Sequence, residues 1–520
     1  MKKFLFLIGI STALVACGSS QKKNTTSNNT IISEKSDATT YANSITEAEL
    51  KEMLYTYASD EFEGRETGQP GQKKAVEYLK NHYIDLGVAS ALANDKYFQT
   101  VPLQTLKTPS VSLTVNGKNY EGLEDFVSLN LSPDGKINTE DIVYVAYGID
   151  DEKYSNYEGL DVKGKVVLIK AGEPKNTDGE YIISGSSTTS KWSNFRQEFA
   201  AKRDAAKNNG AKAVLFYNPE NFHFAVRRYG SPSGRMDLIE TKGDFYYFMI
   251  TNELAKAIHS DIEKSDETKT LAASIAIDYK NDGEIFDSEN VVAFIEGSEK
   301  PEEYIVISAH LDHEGIKDGE VYNGADDDGS GTVAILEIAE AFKKAVKDGK
   351  GPKRSVVFLH VTAEEKGLLG SRYYTDVDPI FPLEKTVANL NIDMIGRTDP
   401  KRKKTNRNYL YLIGSDKLST ELHEISEAVN SKYCNIDLDY TFNADNDPNR
   451  FYYRSDHYNF AKNNIPVIFY FNGTHEDYHK PGDTPDKIQY DLLENRTRLI
   501  FHTAWELANR DKKIIADKAK

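Results

Sequence analysis

Five stretches of this chain carry residues that could hold metal ions and move protons. They are Ala309-His310-Leu311-Asp312-His313, Asn323-Gly324-Ala325-Asp326-Asp327-Asp328, Thr362-Ala363-Glu364-Glu365, Asn391-Ile392-Asp393 and Tyr478-His479-Lys480-Pro481. Taken singly each is weak. With 81 acidic residues in 520, adjacent acidic pairs arise by chance, and a lone histidine is more often a hydrogen-bonded core or surface residue than a ligand. Taken together they supply two imidazoles, His310 and His479, and three oxygen donors, Asp326, Glu365 and Asp393. That set suits zinc, with manganese or cobalt as alternatives. Five donors exceed the three protein ligands of one catalytic zinc, so two zinc ions sharing a carboxylate is the economical reading. Asp312, two residues past His310, is placed to steady that imidazole. A calcium loop competes: Asp326, Asp328, Ser330, Gly331 and Glu337 sit at EF-hand-like positions. Gly315, Gly319 and Gly324 leave no entering helix for it.

The elements that must position these residues are legible around them. Four apolar runs read as buried strands: Tyr304–Ser308, Ser355–Leu359, Val387–Ile392 and Ile465–Phe471. Each is followed by one of the donor stretches. In open α/β sheets ligands bind beyond the carboxyl ends of the strands, so the four runs deliver their donors to one edge. Val333–Ala345 and Ser419–Ser431 read as crossover helices, and residues 47–54 and 72–83 have helical periodicity. Between about Pro109 and Tyr279 the pattern changes to short strands with Gly and Asp turns, broken by a helix over Phe195–Asn209. The expected class is α/β, a three-layer α/β/α domain with a mostly parallel central sheet and an inserted β-rich domain. The divisions read as 1–17 leader, 18–43 tether, 44–107 first part of the α/β domain, 108–288 insertion, and 289–520 the rest of the α/β domain.

Composition narrows the partners. A net charge of −17 disfavours nucleic acid. Two cysteines allow no disulfide framework or cysteine–zinc cluster. The N-terminus has Lys2 and Lys3, a short apolar core over Phe4–Val15, and Leu14-Val15-Ala16-Cys17. That pattern resembles a bacterial lipoprotein signal, with Cys17 the lipidated residue. The Ser-, Thr-, Asn- and Lys-rich stretch after it reads as a flexible tether. The expectation is a body outside the cytoplasmic membrane, anchored through Cys17. Gly18 after that cysteine resembles outer-membrane sorting.

The motifs Ser308-Ala-His-Leu-Asp-His, Asn323-Gly-Ala-Asp-Asp-Asp-Gly-Ser-Gly, Ala363-Glu-Glu-Lys-Gly-Leu-Leu-Gly-Ser, Asn391-Ile-Asp-Met and Asp477-Tyr-His-Lys-Pro-Gly-Asp-Thr resemble the co-catalytic dizinc aminopeptidases. Glutamate carboxypeptidases and glutaminyl cyclases are relatives of that family. Asp161-Val-Lys-Gly-Lys-Val-Val-Leu-Ile and Ala205–Phe216 resemble a protease-associated domain. The resemblance implies one zinc on His310, Asp326 and Asp393 and another on Asp326, Glu365 and His479, with a cis peptide between Asp326 and Asp327. It implies that the two zincs convert a bridging water to hydroxide, with Glu364 as general base. Tyr478 would contact the oxyanion, and Asp456, in Ser455-Asp456-His457, would lie near the substrate. Glu314 follows His313 where an apolar residue is common. The activity implied is exopeptidase cleavage of peptides, foremost from the N-terminus. A carboxypeptidase or a glutaminyl cyclase-like acyltransferase on the same fold and a non-catalytic surface binding protein are the alternatives.

Overall fold

The computed structural model describes residues 31, 38–195, 197–231, 235–239 and 244–519. The leader with Cys17, and most of the expected tether, lie outside the described residues. Among the described residues no helix is long and apolar enough to cross a membrane.

The larger sheet contains β1 (Phe98–Thr105), β2 (Met236–Leu238), β3 (Ile285–Ile295), β4 (Lys300–His310), β5 (Arg354–Val361), β6 (Thr386–Ile392), β7 (Tyr409–Ile413), β8 (Asp437–Asp439) and β9 (Val467–Phe471). Its spatial order is β2-β1-β3-β5-β4-β6-β9-β7-β8. The middle four strands, β5-β4-β6-β9, run parallel, while β3 and β7 flank them antiparallel. These four are the runs expected from sequence, and they are apolar on both faces because both faces are covered. Alternation sorts them: Ile305 and Ile307 of β4 join Val356 and Phe358 of β5 in one core, and Val306 joins Val357 and Leu359 in the other.

Helices α1 (Ala38–Ala42), α2 (Glu47–Tyr57), α3 (Pro70–Leu86), α4 (Gly331–Lys347), α5 (Thr420–Tyr433) and α6 (Tyr490–Asn509) belong to this domain. α4 is buried almost all round, since it is packed against β4, α2 and α6. α2 starts at Thr46, whose hydroxyl accepts from Glu49 N, and α3 starts on Pro70 and stops at Gly87 in the left-handed region, φ 69°. No helix occurs over 311–324, so an EF-hand has no entering helix.

The boundary expected at residue 43 moves. α1 lies inside the stretch read as tether, with Ala38, Tyr41 and Ala42 buried. The Tyr41 ring stacks on Trp505 at 5.5 Å and its hydroxyl donates to Asp348 Oδ2 at 3.1 Å. Arg498 donates to the carbonyls of Ala42 and Ile45. The polar composition of this stretch hid one buried tyrosine.

The second sheet has eight strands between Ser110 and Lys280 and hydrophobic clusters of its own on both faces. Its insertion is not self-contained, however. β2 leaves it to pair antiparallel with β1 of the larger sheet, and Asp237 there pairs with Arg372.

Glu337 on α4 is buried, with Thr46 N donating to its Oε2 at 3.3 Å. Burial, and then the charges of Glu49 and Glu340, push its carboxyl up to about 8. A carboxyl whose folded pKa exceeds its unfolded one binds more protons folded. Its stabilising contribution is full below about pH 4.5 and is lost as pH rises to about 8, a change on the order of a few kcal/mol. Urea midpoints at about pH 5, 7 and 9 should therefore fall less steeply for Glu337→Gln than for the native chain. Parallel pH profiles would contradict the assignment.

Candidate metal centre

Four parallel strands end on one edge, and each hands over a donor within one to a few residues. His310 is the last residue of β4 and Asp393 the first after β6. Glu364 and Glu365 follow β5, and His479 lies on the loop after β9. The fifth element is the turn Ala325–Ser330, entered at Gly324 and running straight into α4. Gly324 has φ +56°, and a Cβ there would stand 2.5 Å from the His313 ring, so only glycine fits.

The structure corrects the assignment within this turn. Asp327, rather than Asp326, lies between the two expected metal positions. Its Oδ1 is 3.1 Å from His310 Nε2 and its Oδ2 is 3.1 Å from His479 Nε2. Asp326 faces the other way: its Oδ1 accepts from Gly396 N at 2.6 Å and Ser330 Oγ at 3.1 Å, and its Oδ2 lies 3.2 Å from His475 Nε2. The cis peptide likewise falls at Asp327–Asp328, one residue later than expected. Three consecutive aspartates offered no sequence signal to separate them. Asp328 serves the backbone, accepting from His310 N, Gly331 N and Met394 N at 3.0–3.2 Å.

Around Asp327 the remaining donors converge. Asp393 Oδ1 is 3.8 Å from His310 Nε2, and Glu365 Oε2 is 3.1 Å from His479 Nε2. His313, quoted in a motif but given no role from sequence, is fully buried with Nδ1 2.9 Å from Glu365 Oε1. The Asp312 carboxylate stands beside the His310 imidazole as expected, its Oδ1 4.0 Å from Nδ1, but it is not hydrogen-bonded to it. The imidazole Nδ1 is 3.0 Å from the Asp312 main-chain oxygen, while the carboxylate accepts from Glu364 N and Thr67 Oγ1. Asp312 therefore fixes Glu364 as well as His310. Arg65 closes the stretch Glu61-Phe-Glu-Gly-Arg65, which resembles the family's N-terminal segment but assigns the arginine no role; it is fully buried and donates to the carbonyls of Tyr57, Leu311, Asn323 and Gly324, tying the His310 and Asp327 loops together.

A narrow cleft of about 30 Å³ opens above, lined by Asp327, Glu364, Asp393, Arg454, Tyr478 and His479 among others. Tyr478 stacks on His479 at 3.9 Å, and Arg454 Nη2 is 3.5 Å from its hydroxyl. Asp456 is not at the cleft: it is fully buried, accepts from Ser371 Oγ, and burial pushes it up to about 7. The expected substrate contact at Asp456 is thus replaced by a buried one.

Electrostatics and satisfaction both test whether cations fit here. Burial, reinforced by Glu365, Asp393 and Asp456, holds the Glu364 carboxyl well above its usual range against the opposing pull of His310. His310 Nε2, Asp327 Oδ2 and His479 Nε2 are buried atoms without a hydrogen-bond partner, a costly state for polar groups taken out of water. His310, Asp327 and Asp393 offer ligand atoms within 4.8 Å of one another, as do His313, Asp327 and Glu365, and Glu314, Glu365 and His479. Imidazole and carboxylate donors at these separations fit zinc.

Comparison with known proteins places the donor-bearing segment in a region of recognised similarity. Residues 290–504 match the model of peptidase family M28, and residues 138–258 match the PA domain. The M28 match takes in every strand and loop that carries the donors. Aminopeptidase YwaD of Bacillus subtilis (strain 168) is 25% identical over 359 residues, 68% of this chain and 64% of that protein. Probable glutamate carboxypeptidase LAMP1 of Arabidopsis thaliana is 35% identical over 105 residues, 20% of this chain. The chain spans only 14% of that relative's length. The solved aminopeptidase from Aneurinibacillus sp. strain AM-1 superposes with a TM-score of 0.46 at 20% identity, covering 92% of this chain and 98% of its own.

Asp327→Asn should lose most of the bound zinc, measured by elemental analysis after dialysis. Asp326→Asn should retain the zinc and melt a few degrees lower, because it keeps one acceptor and loses a charge-assisted bond. The reverse pattern would restore Asp326 as the shared ligand.

Proposed function

We propose that the chain is a zinc-dependent exopeptidase, foremost an aminopeptidase, acting outside the cytoplasmic membrane from an anchor at Cys17. What carries the reading is the pairing of Asp327 between His310 and His479 with Glu364 beside it, half-buried on the cleft wall. His310, Asp327 and Asp393 would hold one zinc, and Asp327, Glu365 and His479 the other. When bound, zinc supplies Lewis acidity, polarising a carbonyl and making water acidic near neutral pH.

The chain's own residues do the rest. Glu364, next to Glu365 in sequence but turned to the cleft, takes a proton from the attacking water and passes it to the leaving amine. Asp312 holds the Glu364 main chain in place through its amide at 3.0 Å. The Tyr478 hydroxyl, on the cleft wall, points the way for a hydrogen bond to the oxyanion. Asp327, Glu364 and Asp393 form the floor of the cleft. Arg454 at the wall gives the second reading, cleavage from a carboxyl end, its one structural support.

Glu364→Gln should keep zinc at the native level and lower turnover by about 10²- to 10⁴-fold. The direction of cleavage is read by mass spectrometry of a mixed peptide pool, with and without a chelator. Ladders shortening from the N-terminus, absent for N-acetylated peptides, would support the aminopeptidase. Shortening from the other end would support the Arg454 reading, and no cleavage by zinc-loaded chain would rule out both.

A further inference from the structure

Glu314 stands where the family resemblance leads one to expect an apolar side chain, and the structure gives it a definite place. Its carboxylate is largely buried, 14% exposed. Oε2 pairs with Lys317 Nζ, on the short hairpin Ile316–Lys317/Glu320–Val321. Oε1 then faces His479 Nδ1 at 3.6 Å.

His479 needs such a partner. Its Nε2 looks inward, 3.1 Å from both Asp327 Oδ2 and Glu365 Oε2. Its side chain is one-third exposed, at 34%, and its backbone sits at φ +53°, on a turn rather than a regular element. Tyr478 covers one ring face but leaves rotation about the ring normal unopposed. A neutral imidazole carries a lone pair on one nitrogen only, and a hydrogen bond from the other decides which. Histidines that bind metals commonly donate that second N–H to a carboxylate, which fixes ring and tautomer and strengthens the ligand.

We infer that Glu314 is a positioning residue for the metal position at Glu365 and His479: it accepts the Nδ1–H of His479 and so keeps the Nε2 lone pair turned inward, while Lys317 holds the carboxylate from its other side. The separation of 3.6 Å is a few tenths of an ångström beyond a hydrogen bond, and contacts of this kind tighten when a site is filled. The inference rests on the metal-centre reading above. It concerns only one of the two positions, since Glu314 faces His479 and Glu365.

The test is zinc affinity of the full chain, resolved into two binding steps by competition with a chromophoric chelator. Glu314→Leu should weaken one step by about 10- to 100-fold and leave the other unchanged. Glu314→Gln, which still offers an oxygen to Nδ1–H, should recover most of that loss. Both variants are first matched to the native chain by circular dichroism and melting temperature. If Glu314→Leu misfolds, Glu314→Gln against Lys317→Met carries the test, with Lys317→Met expected to show the larger loss on the same step. Native affinities in a folded Glu314→Leu, or equal weakening of both steps, would overturn the inference alone. A native chain that takes up no zinc would overturn the metal-centre reading and this inference with it.

Discussion

Five carboxylates, those of Asp327, Asp328, Glu364, Glu365 and Asp393, crowd one edge of the parallel sheet with water largely excluded. Uncompensated, that concentration of buried charge is among the most expensive arrangements a protein can hold. Much of the surrounding structure is an answer to it. His310, His313 and His479 supply nitrogen atoms against the acids, backbone amides are turned toward Asp328, and Asp326 takes amides and His475. Even so, several inward atoms are left without partners. An arrangement that costs this much and stays unfinished is built for cations, and the fold supplies the rigidity to wait for them.

The run Asp326-Asp327-Asp328 shows how that rigidity is made. Identical side chains, consecutive in sequence, do three different jobs. The outer two bond main-chain amides of strands or loops at opposite sides, and their fixed positions leave the middle one no choice but to face His310 and His479. Arg65 adds four bonds to carbonyls on three segments, so the two loops that carry His310 and Asp327 move together or not at all. Removing the Arg65 guanidinium would take a buried donor from each of those carbonyls, leaving Leu311 only the Tyr57 hydroxyl and Gly324 only the Gly329 amide.

Much of this was legible before any coordinates. The β4, β5, β6 and β9 runs announce themselves because strands buried on both faces must be apolar throughout, and donors at their carboxyl ends follow from the topology of open sheets. What sequence could not separate was neighbour from neighbour. Spacing places an acidic run at the site but cannot say which member of it points inward, since that depends on the backbone conformation at Asp327–Asp328. His313 and Arg65 were overlooked for a related reason. Apart from Tyr57, eight residues from Arg65, their partners lie 52 to 259 residues away in the chain, so local spacing assigns neither a role. Asp456 was misplaced because a conserved-looking motif position says nothing about depth. α1 was misplaced because five residues bury through one aromatic ring.

The place of α1 has an orientational meaning. α4 begins at the metal centre, where Thr332 Oγ1 donates to the His310 carbonyl, and ends about 25 Å away at Asp348, where Tyr41 docks. α2 then climbs back along it until Tyr57 donates to the Leu311 carbonyl. The chain therefore enters the domain at its base and reaches the cleft only after crossing its full height. The docking of α1 is thus sensed at the donors only through the length of α4 and α2, which makes those two helices the link between the two ends of the domain.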